Sequence, residues 1–318
     1  MRKSVKLTAL AAVLTVATAC GGGGGSAGGG VTDLKVGIVP FSPDAVLFLA
    51  QKNGIFAKHN LDVTTEQAAS SAPIVASMVA GQLQFGFVAT PVLINANAQG
   101  TGVKCVAPVD GQVAPDRDSS ALVARAGSGI DSLGHMSGRT VAVVQLSSIN
   151  LIGAQKLISD AGATRVKYIA MPFPQMPQAL ADGRVDAAVI ASPYVETALN
   201  AGAVALAHPS SDLFPNGTVY CYGATAGYLE QNPEVAQNFQ AAMNEAINYS
   251  KDHEDEAKAT LVDGLGLTPE QAKAQIIPSN YVPEINVGSI SDIQNLMADQ
   301  KAIVKKVNVA DLVWHPAR

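Results

Sequence analysis

The sequence has few charged side chains and no cluster of metal-binding ones. Charged residues make up only 15% of the chain, and Lys and Arg are scattered along it, with a net charge of −5. Nucleic-acid-binding proteins need a concentrated basic surface, so that class is excluded. The five histidines stand apart from one another, and no Cys-x-x-Cys pair occurs. We therefore expect no metal site, no cofactor and no nucleic-acid partner.

Sequence signatures of catalysis are missing as well. The chain has no Gly-x-Ser-x-Gly turn, no Gly-Lys-Ser/Thr after its glycine run, and no paired carboxylates at predicted strand ends. Only isolated acids, Asp44 and Asp110, occur there. Asp110 follows the predicted strand Val103–Val109, where it is either a solvated turn residue or a partner for a ligand amine or hydroxyl. These gaps predict a protein that is not an enzyme.

Long apolar runs are absent after the N-terminus, but the N-terminus itself carries a short one. Arg2, Lys3 and Lys6 precede the uncharged stretch 7–17. A run of this length cannot cross about 30 Å of hydrocarbon as a lasting helix, so it is typical of an export signal. We predict a signal peptide at residues 1–19.

A cysteine follows this signal directly. Val16-Ala-Thr-Ala-Cys20 resembles the bacterial lipobox, in which Cys20 becomes the lipidated first residue of the mature chain. An ordinary signal peptide with an incidental cysteine is the alternative. Residues 21–30 are nearly all glycine and form a tether, which implies an anchor at its start. We predict a lipidated Cys20 and a tether over 20–30, on the outer face of the cytoplasmic membrane, at the cell surface or in the periplasm.

The rest of the chain repeats itself after 102 to 105 residues. Lys35–Ser42 is echoed by Thr140–Ser147, and Ala80–Pro91 is echoed by Asp182–Pro193. Each unit contains a continuous apolar strand next to a helical pattern, which is typical of a parallel sheet buried on both faces. Each half therefore predicts the order β-α-β-α-β-α-β. The fold class predicted is α/β, with two Rossmann-like lobes and mostly parallel sheets.

Two extended segments run between these halves. Residues 120–126 and 218–228 predict the two crossings of a two-stranded hinge. We assign residues 31–119 plus 219–318 to the first lobe and residues 127–218 to the second.

The C-terminal part of the chain is predicted to be helical. A helix should begin at Asn232-Pro233 and end near 264–266, and Thr268 should open a second helix with a capping box. Residues 291–304 predict a third helix. We expect these helices to pack on the first lobe.

Four segments, in order, resemble one family of known proteins: Gly54–Val63, Ala80–Gly86, Ser137–Val143 and Ala179–Tyr194. That family contains the aliphatic-sulfonate, taurine, nitrate and thiamine-precursor (NMT1/THI5-like) solute-binding proteins of ABC importers. The resemblance spans about 36–261 and implies the type II periplasmic-binding-protein fold, a monomer, a small-molecule ligand, and permease and ATPase partners. Gln84 and Leu146–Asn150 depart from the family pattern, so the ligand is not carried over.

The same resemblance bears on Cys105 and Cys221. An exported protein with two remaining cysteines can hold one disulfide, although their spacing alone does not decide it. In this fold the returning segment inserts beside the fourth strand of the first lobe. That placement would bring the two Cα atoms within the ~4.4–6.8 Å that a disulfide needs. Two buried thiols are the alternative.

Ligands of open parallel sheets bind beyond the carboxyl ends of the strands. Four predicted turns there carry hydroxyl residues: Ser42-Pro43, Thr90-Pro91, Ser147-Ser148 and Ser192-Pro193. Taken singly they indicate helix capping, but their symmetry across two lobes favours a shared cleft. Helix N-termini there would attract carboxylate, sulfonate or phosphate groups. We expect ligand contacts from Phe41, Ser42, Thr90, Asp110, Ser147, Ser148, Asn150, Ser192 and Tyr194.

The sequence therefore predicts an extracytoplasmic solute-binding lipoprotein of an ABC importer. It would capture a small organic ligand, with anions among the candidates, by closing two lobes about a hinge. A membrane-tethered ligand-sensing module is one alternative. An enzyme similar to the yeast-type pyrimidine-precursor synthases is another, but those enzymes use histidine and cysteine near the cleft, and this chain offers no such cluster there.

Overall fold

The computed structural model describes residues 30–109, 118–277 and 283–316. The predicted signal peptide, the lipidation site Cys20 and the candidate ligand residue Asp110 lie outside these ranges. Among the residues that are described, no helix is both long enough and apolar enough to cross a bilayer.

The first lobe is built on a five-stranded sheet with strand order β2-β1-β3-β10-β4. Strands β1 to β4 run in one direction, and β10 lies antiparallel between β3 and β4. The helices between them cover its faces. The strands are β1 (Thr32–Ile38), β2 (Leu61–Gln67), β3 (Phe85–Ala89), β4 (Val103–Pro108) and β10 (Tyr220–Thr225), and the helices are α1 (Ala45–Lys52), α2 (Ile55–Lys58), α3 (Ser71–Val79) and α4 (Thr90–Ala98).

The second lobe repeats this plan with strand order β7-β6-β8-β5-β9. Here β5 is the antiparallel strand, between β8 and β9. The strands are β5 (Ser120–Ala124), β6 (Thr140–Val143), β7 (Lys167–Ala170), β8 (Ala187–Ala191) and β9 (Val204–Ala207), and the helices are α5 (Ile149–Asp160), α6 (Met176–Ala181), α7 (Tyr194–Asn200) and α8 (Pro209–Leu213).

The predicted fold class, two α/β lobes, is confirmed, and each sheet is mixed because one antiparallel strand enters it. The segments predicted as hinge crossings are themselves these antiparallel strands. Ser120–Ala124 is paired along its whole length with β8, and Tyr220–Thr225 completes the first sheet. A strand flanked on both sides forms more ladder hydrogen bonds than an isolated linker, which explains why the crossings are absorbed into the sheets.

The C-terminal helices pack on α1, α2 and α4 of the first lobe. The prediction of one helix from Asn232 to about 264–266 is wrong, because the helix is interrupted at His253 and a second helix begins after it. Three acidic residues follow this break, where the positive end of a new helix stabilises them. The third helix begins at the cap Asn286, earlier than predicted, and the capping box at Thr268 is confirmed. The helices are α9 (Ala226–Gln231), α10 (Pro233–Asp252), α11 (Glu254–Leu265), α12 (Pro269–Lys273) and α13 (Val287–Asp299).

A disulfide joins Cys105 of β4 to Cys221 of β10, with Cα atoms 5.7 Å apart. Both cysteines are fully buried. Since β4 precedes the second lobe and β10 follows it, the bond ties together the two strands between which the second lobe is inserted.

Close packing brings α3 onto the first sheet. A Cβ at Gly86 in β3 would lie 2.2 Å from Cγ2 of Ile74, and one at Gly37 in β1 would lie 2.8 Å from the same atom. Only glycine permits this approach. This close approach fixes the distance between α3 and the sheet, and so places the first residues of the helix at the edge that faces the second lobe.

Candidate functional site

A cavity lies between the lobes, where the carboxyl ends of the two sets of parallel strands face each other. Both lobes contribute to its wall, and Tyr220 enters from the start of the inserted strand β10. The lining residues are Val39, Phe41, Ser70, Ser71, Phe87, Ala89, Val144, Gln145, Ser148, Asn150, Phe173 and Tyr220.

The cavity is narrow. The space between the lining atoms, including its open mouth, is about 340 Å³, but only about 20 Å³ can hold the centre of a water molecule. That room suffices for one or two waters. Pockets that hold small organic molecules measure roughly 300–1,000 Å³, and the volume to compare with this range is the 20 Å³. The lobes must therefore part to admit such a molecule.

Aromatic rings form one wall of this cavity. Phe41 meets Phe87 edge to face with ring centroids 5.0 Å apart, and it meets Tyr220 in the same manner at 5.7 Å. Phe87 and Tyr220 lie 5.0 Å apart in a tilted arrangement. Phe173 of the second lobe adds a fourth ring to the lining. Rings that are held by each other in this way are fixed in orientation before any ligand arrives.

The polar part of the lining consists of neutral side chains. Ser148 caps α5, because its hydroxyl accepts from the Leu151 N–H at 3.1 Å while donating to the Gln145 carbonyl at 2.8 Å. The Asn150 Oδ1 accepts from the Tyr220 hydroxyl at 3.1 Å. Among the described residues, Asn150 Nδ2 and Gln145 Oε1 are buried without a hydrogen-bond partner.

Three of the predicted contact residues line the cavity: Phe41, Ser148 and Asn150. Ser147 instead borders an open groove beside Ala302 and Val304. Tyr194 is the first residue of α7 and is half-buried, and its burial raises the pKa of its hydroxyl.

The other three hydroxyl residues are bonded within the protein. The Ser42 hydroxyl donates to the Ile276 carbonyl at 2.9 Å, and the Thr90 hydroxyl donates to the Thr218 carbonyl at 2.8 Å. The Ser192 hydroxyl donates to the Glu196 carboxylate.

The prediction that these three residues cap helices is wrong. The caps of the corresponding helical segments are Phe41, Ala89 and Pro193, and none makes a side-chain capping bond. Carbonyls of the returning chain compete for the Ser42 and Thr90 hydroxyls, and a nearby carboxylate binds that of Ser192. Sequence spacing shows none of these partners. Only Ser148 caps its helix as predicted.

Polar contacts join the lobes around the cavity. The Ser42 N–H donates to the Ser192 carbonyl at 3.0 Å, in addition to the Tyr220–Asn150 bond. Gln300, after α13, donates to the Ile152 carbonyl of α5 at 2.9 Å. Burial raises the pKa of Glu196, beside the Ser192 contact. The lobes are thus in direct contact across the cleft.

Sequence reasoning missed most of the aromatic and amide lining. Ser70, Ser71 and Phe173 follow β2 and β7, so a search of every strand end would have found them. Tyr220 gave no such signal. It starts an antiparallel strand, and only the insertion of β10 brings it to the same edge as the carboxyl ends of the other strands.

Residues 44–257 match the family model described as NMT1/THI5 like. A protein of Bacillus subtilis (strain 168), named for binding aliphatic sulfonates, is 26% identical over 96% of this chain and 93% of its own length. The alkanesulfonate-binding protein SsuA of Xanthomonas axonopodis pv. citri has a similar structure, with a TM-score of 0.75, 18% identity, and coverage of 90% of this chain and 99% of that one. The aliphatic sulphonate-binding protein SsuA of Escherichia coli has a TM-score of 0.72, 20% identity, and coverage of 89% and 97%. The matched segment runs through both lobes and includes every lining residue of the cavity except Val39 and Phe41, and this chain belongs to the NMT1/THI5-like family.

Proposed function

We propose that the protein is the extracytoplasmic solute-binding lipoprotein of an ABC importer. It would capture a small organic molecule between its lobes and deliver it to a membrane permease that works with an ATPase. The observation that carries this proposal is a cavity walled by both lobes at the carboxyl ends of their strands. The relatives named above are binding proteins, which supports the same conclusion.

The geometry supports capture by closure. The cavity is too small to admit an organic molecule unless the lobes separate, and Ser42–Ser192 and Tyr220–Asn150 are the contacts that re-form on closing. A ligand that touches both walls binds the closed state more tightly than the open one and so shifts the equilibrium towards closure. We propose Phe41, Ser148 and Asn150 as ligand contacts.

The described lining suits binding better than chemistry. Its twelve residues include no histidine, no cysteine and no charged side chain. Apart from the serine hydroxyls and the Tyr220 hydroxyl, which donates to Asn150, these residues offer no group to act as a nucleophile, general base or general acid.

We also propose that the protein is a monomer, and the N-terminal sequence supports anchoring it to the membrane. Acyl chains on Cys20 would hold the protein to the outer face of the cytoplasmic membrane. The glycine-rich tether would let the lobes range roughly 17 Å from that point, as expected for ten flexible residues. This freedom would allow a closed binding protein to reach its permease.

A ligand screen with a structural readout tests the proposal. Alkanesulfonates, carboxylates, amines and pyrimidines would be screened by thermal shift, and each hit would be followed by small-angle scattering. We expect a hit to reduce the radius of gyration, and a cell lacking the protein to lose uptake of that compound. Hits that leave both the radius and uptake unchanged would contradict the proposal.

A further inference from the structure

If solute binding is the function of the cavity, as proposed above, its lining also indicates the class of ligand. The expectation of an anion depended on helix N-termini and on the hydroxyls at four helix starts. Three of those hydroxyls, on Ser42, Thr90 and Ser192, are bonded to other protein groups. The fourth, on Ser148, is occupied by capping α5.

The charge around the cavity does not favour an anion either. No lysine, arginine or histidine is among the described lining residues. Two acidic side chains lie next to the Ser42–Ser192 contact: Asp44, fully buried, accepts from the Tyr222 hydroxyl at 2.7 Å, and Glu196 accepts from the Ser192 hydroxyl. A charge that leaves water without an opposite charge is strongly disfavoured.

Two carboxamides face this uncharged space. Asn150 is only 1% exposed, and the Tyr220 hydroxyl holds one end of its amide while the other end has no partner among the described residues. The Gln145 Oε1 is likewise buried and unpartnered. A buried polar atom without a partner costs about 1–3 kcal/mol, and such atoms are rare in native proteins. A carboxamide offers both a donor and an acceptor, so these two can pair both kinds of group on a ligand.

The aromatic wall constrains the body of the ligand. Phe41, Phe87 and Tyr220 hold one another, and Phe173 of the second lobe completes the lining. A flat apolar body would gain contact with these rings when the lobes close.

We propose that the cavity binds a small, flat, uncharged molecule whose polar edge carries both a hydrogen-bond acceptor and a donor, recognised by the carboxamides of Asn150 and Gln145. A primary amide or a lactam on an aromatic ring has this character. Tyr220 acts as a positioning residue, since its hydroxyl orients Asn150.

Pairs of compounds that differ in charge test this class directly. The probes are benzamide with benzoate, benzenesulfonamide with benzenesulfonate, and benzylamine as the cation, titrated calorimetrically into the full protein. We expect each neutral member to bind more tightly than its charged partner by roughly ten-fold or more. Binding of the charged probes at least as tightly as the neutral ones would overturn the inference, as would a lack of binding by all five.

Variants show which groups are responsible. Asn150→Ala and Gln145→Ala should each weaken benzamide binding by roughly ten-fold. Asn244→Ala is the matched control, because Asn244 of α10 also has a buried, unpartnered amide oxygen but does not line the cavity. Tyr220→Phe should weaken benzamide binding, whereas Tyr222→Phe, two residues along β10, should not. Equal effects in a variant and its control would refute recognition by these carboxamides.

The outcomes separate this inference from the proposed function. A tightly bound anion whose affinity falls in Asn150→Ala would refute the uncharged class and leave solute binding in place. Compounds that bind without reducing the radius of gyration, and without responding to either cavity variant, would count against both.

Discussion

The contribution of the disulfide to the free energy of unfolding can be predicted from the length of the loop that it closes. The bond closes a loop of 116 residues between Cys105 and Cys221, and that loop contains the whole second lobe. Cross-linking such a loop in the unfolded chain removes entropy worth about 5 kcal/mol at 25 °C in the chain-entropy model, while native disulfides typically contribute 2–5 kcal/mol. We therefore expect loss of the bond to lower the free energy of unfolding by about 3–5 kcal/mol.

The perturbation is a set of three variants: Cys105→Ala, Cys221→Ala and the double variant. Each single variant already removes the bond, so the double variant should be less stable than either single one by only about 1 kcal/mol, the cost of a second missing sulfur. Denaturant unfolding followed by tryptophan fluorescence and circular dichroism gives the three values. Trp314 is well placed for this, because its backbone N–H donates to the Cys105 carbonyl at 2.8 Å.

Reduction of the wild type is the independent control. Both sulfurs are buried, so a reductant should act only on unfolded chains. It should lower the unfolding midpoint of the wild type but leave it above that of the double variant, because the reduced protein keeps both sulfurs in its core. Additive losses in the two single variants, or an unchanged midpoint under reductant, would show that the cysteines act as two separate core residues. Should the second lobe stay folded while the first unfolds, the loop is effectively shorter and the loss falls towards the lower figure.

Three further predictions concern the anchor, the packing and the pH dependence. Cys20→Ser should release the protein from the membrane fraction and abolish acyl labelling; equal retention would disprove the lipobox interpretation. Gly153→Ala should lower the free energy of unfolding by about 1–3 kcal/mol, because the new Cβ would lie 2.8 Å from the Pro209 carbonyl oxygen. Gly227→Ala is the control and should be neutral or stabilising, because no atom lies within 4 Å of its new Cβ. Equal melting temperatures for the two variants would argue against the tight α5–α8 contact. Burial raises the pKa of Glu196 above its ordinary 4.5, so its contribution to stability is present below that pH and is lost as the pH rises through the raised pKa. Glu196→Gln should therefore flatten the fall in melting temperature across that window, and parallel curves for variant and wild type would exclude this origin.

Much of the fold was predictable because its strands and helix caps depend on patterns within short segments of the sequence. Val36–Ile38 and Val141–Val143 are continuous apolar runs, and a continuous run of this length flanked by helices specifies a strand buried on both faces. Thr268 and Gln271 specify a capping box within four residues, and the structure contains it.

The site was harder to predict because its contacts are long-range. Thr90 has the local sequence of a cap, but a carbonyl 128 residues away takes its hydroxyl. Asn150 was predicted as a ligand contact, but its partner Tyr220, 70 positions later, has no signal in the local sequence. Partners of this kind depend on which strand inserts where, and no periodicity within one segment contains that information.

If the protein is exported as proposed, the position of β10 also determines the order in which the two lobes can be completed during export. A chain that crosses the membrane from its N-terminus delivers β1 to β4 first, yet β3 and β4 have no partner between them until Tyr220–Thr225 emerges. The second sheet needs only residues from Ser120 to Ala207, so it can close while the first still has unpaired edges. The lobe that is begun first is therefore finished last, and Cys105 must wait for the whole second lobe to pass before it meets Cys221. Translocation stopped just before Tyr220 would leave a finished second lobe attached to an unfinished first one.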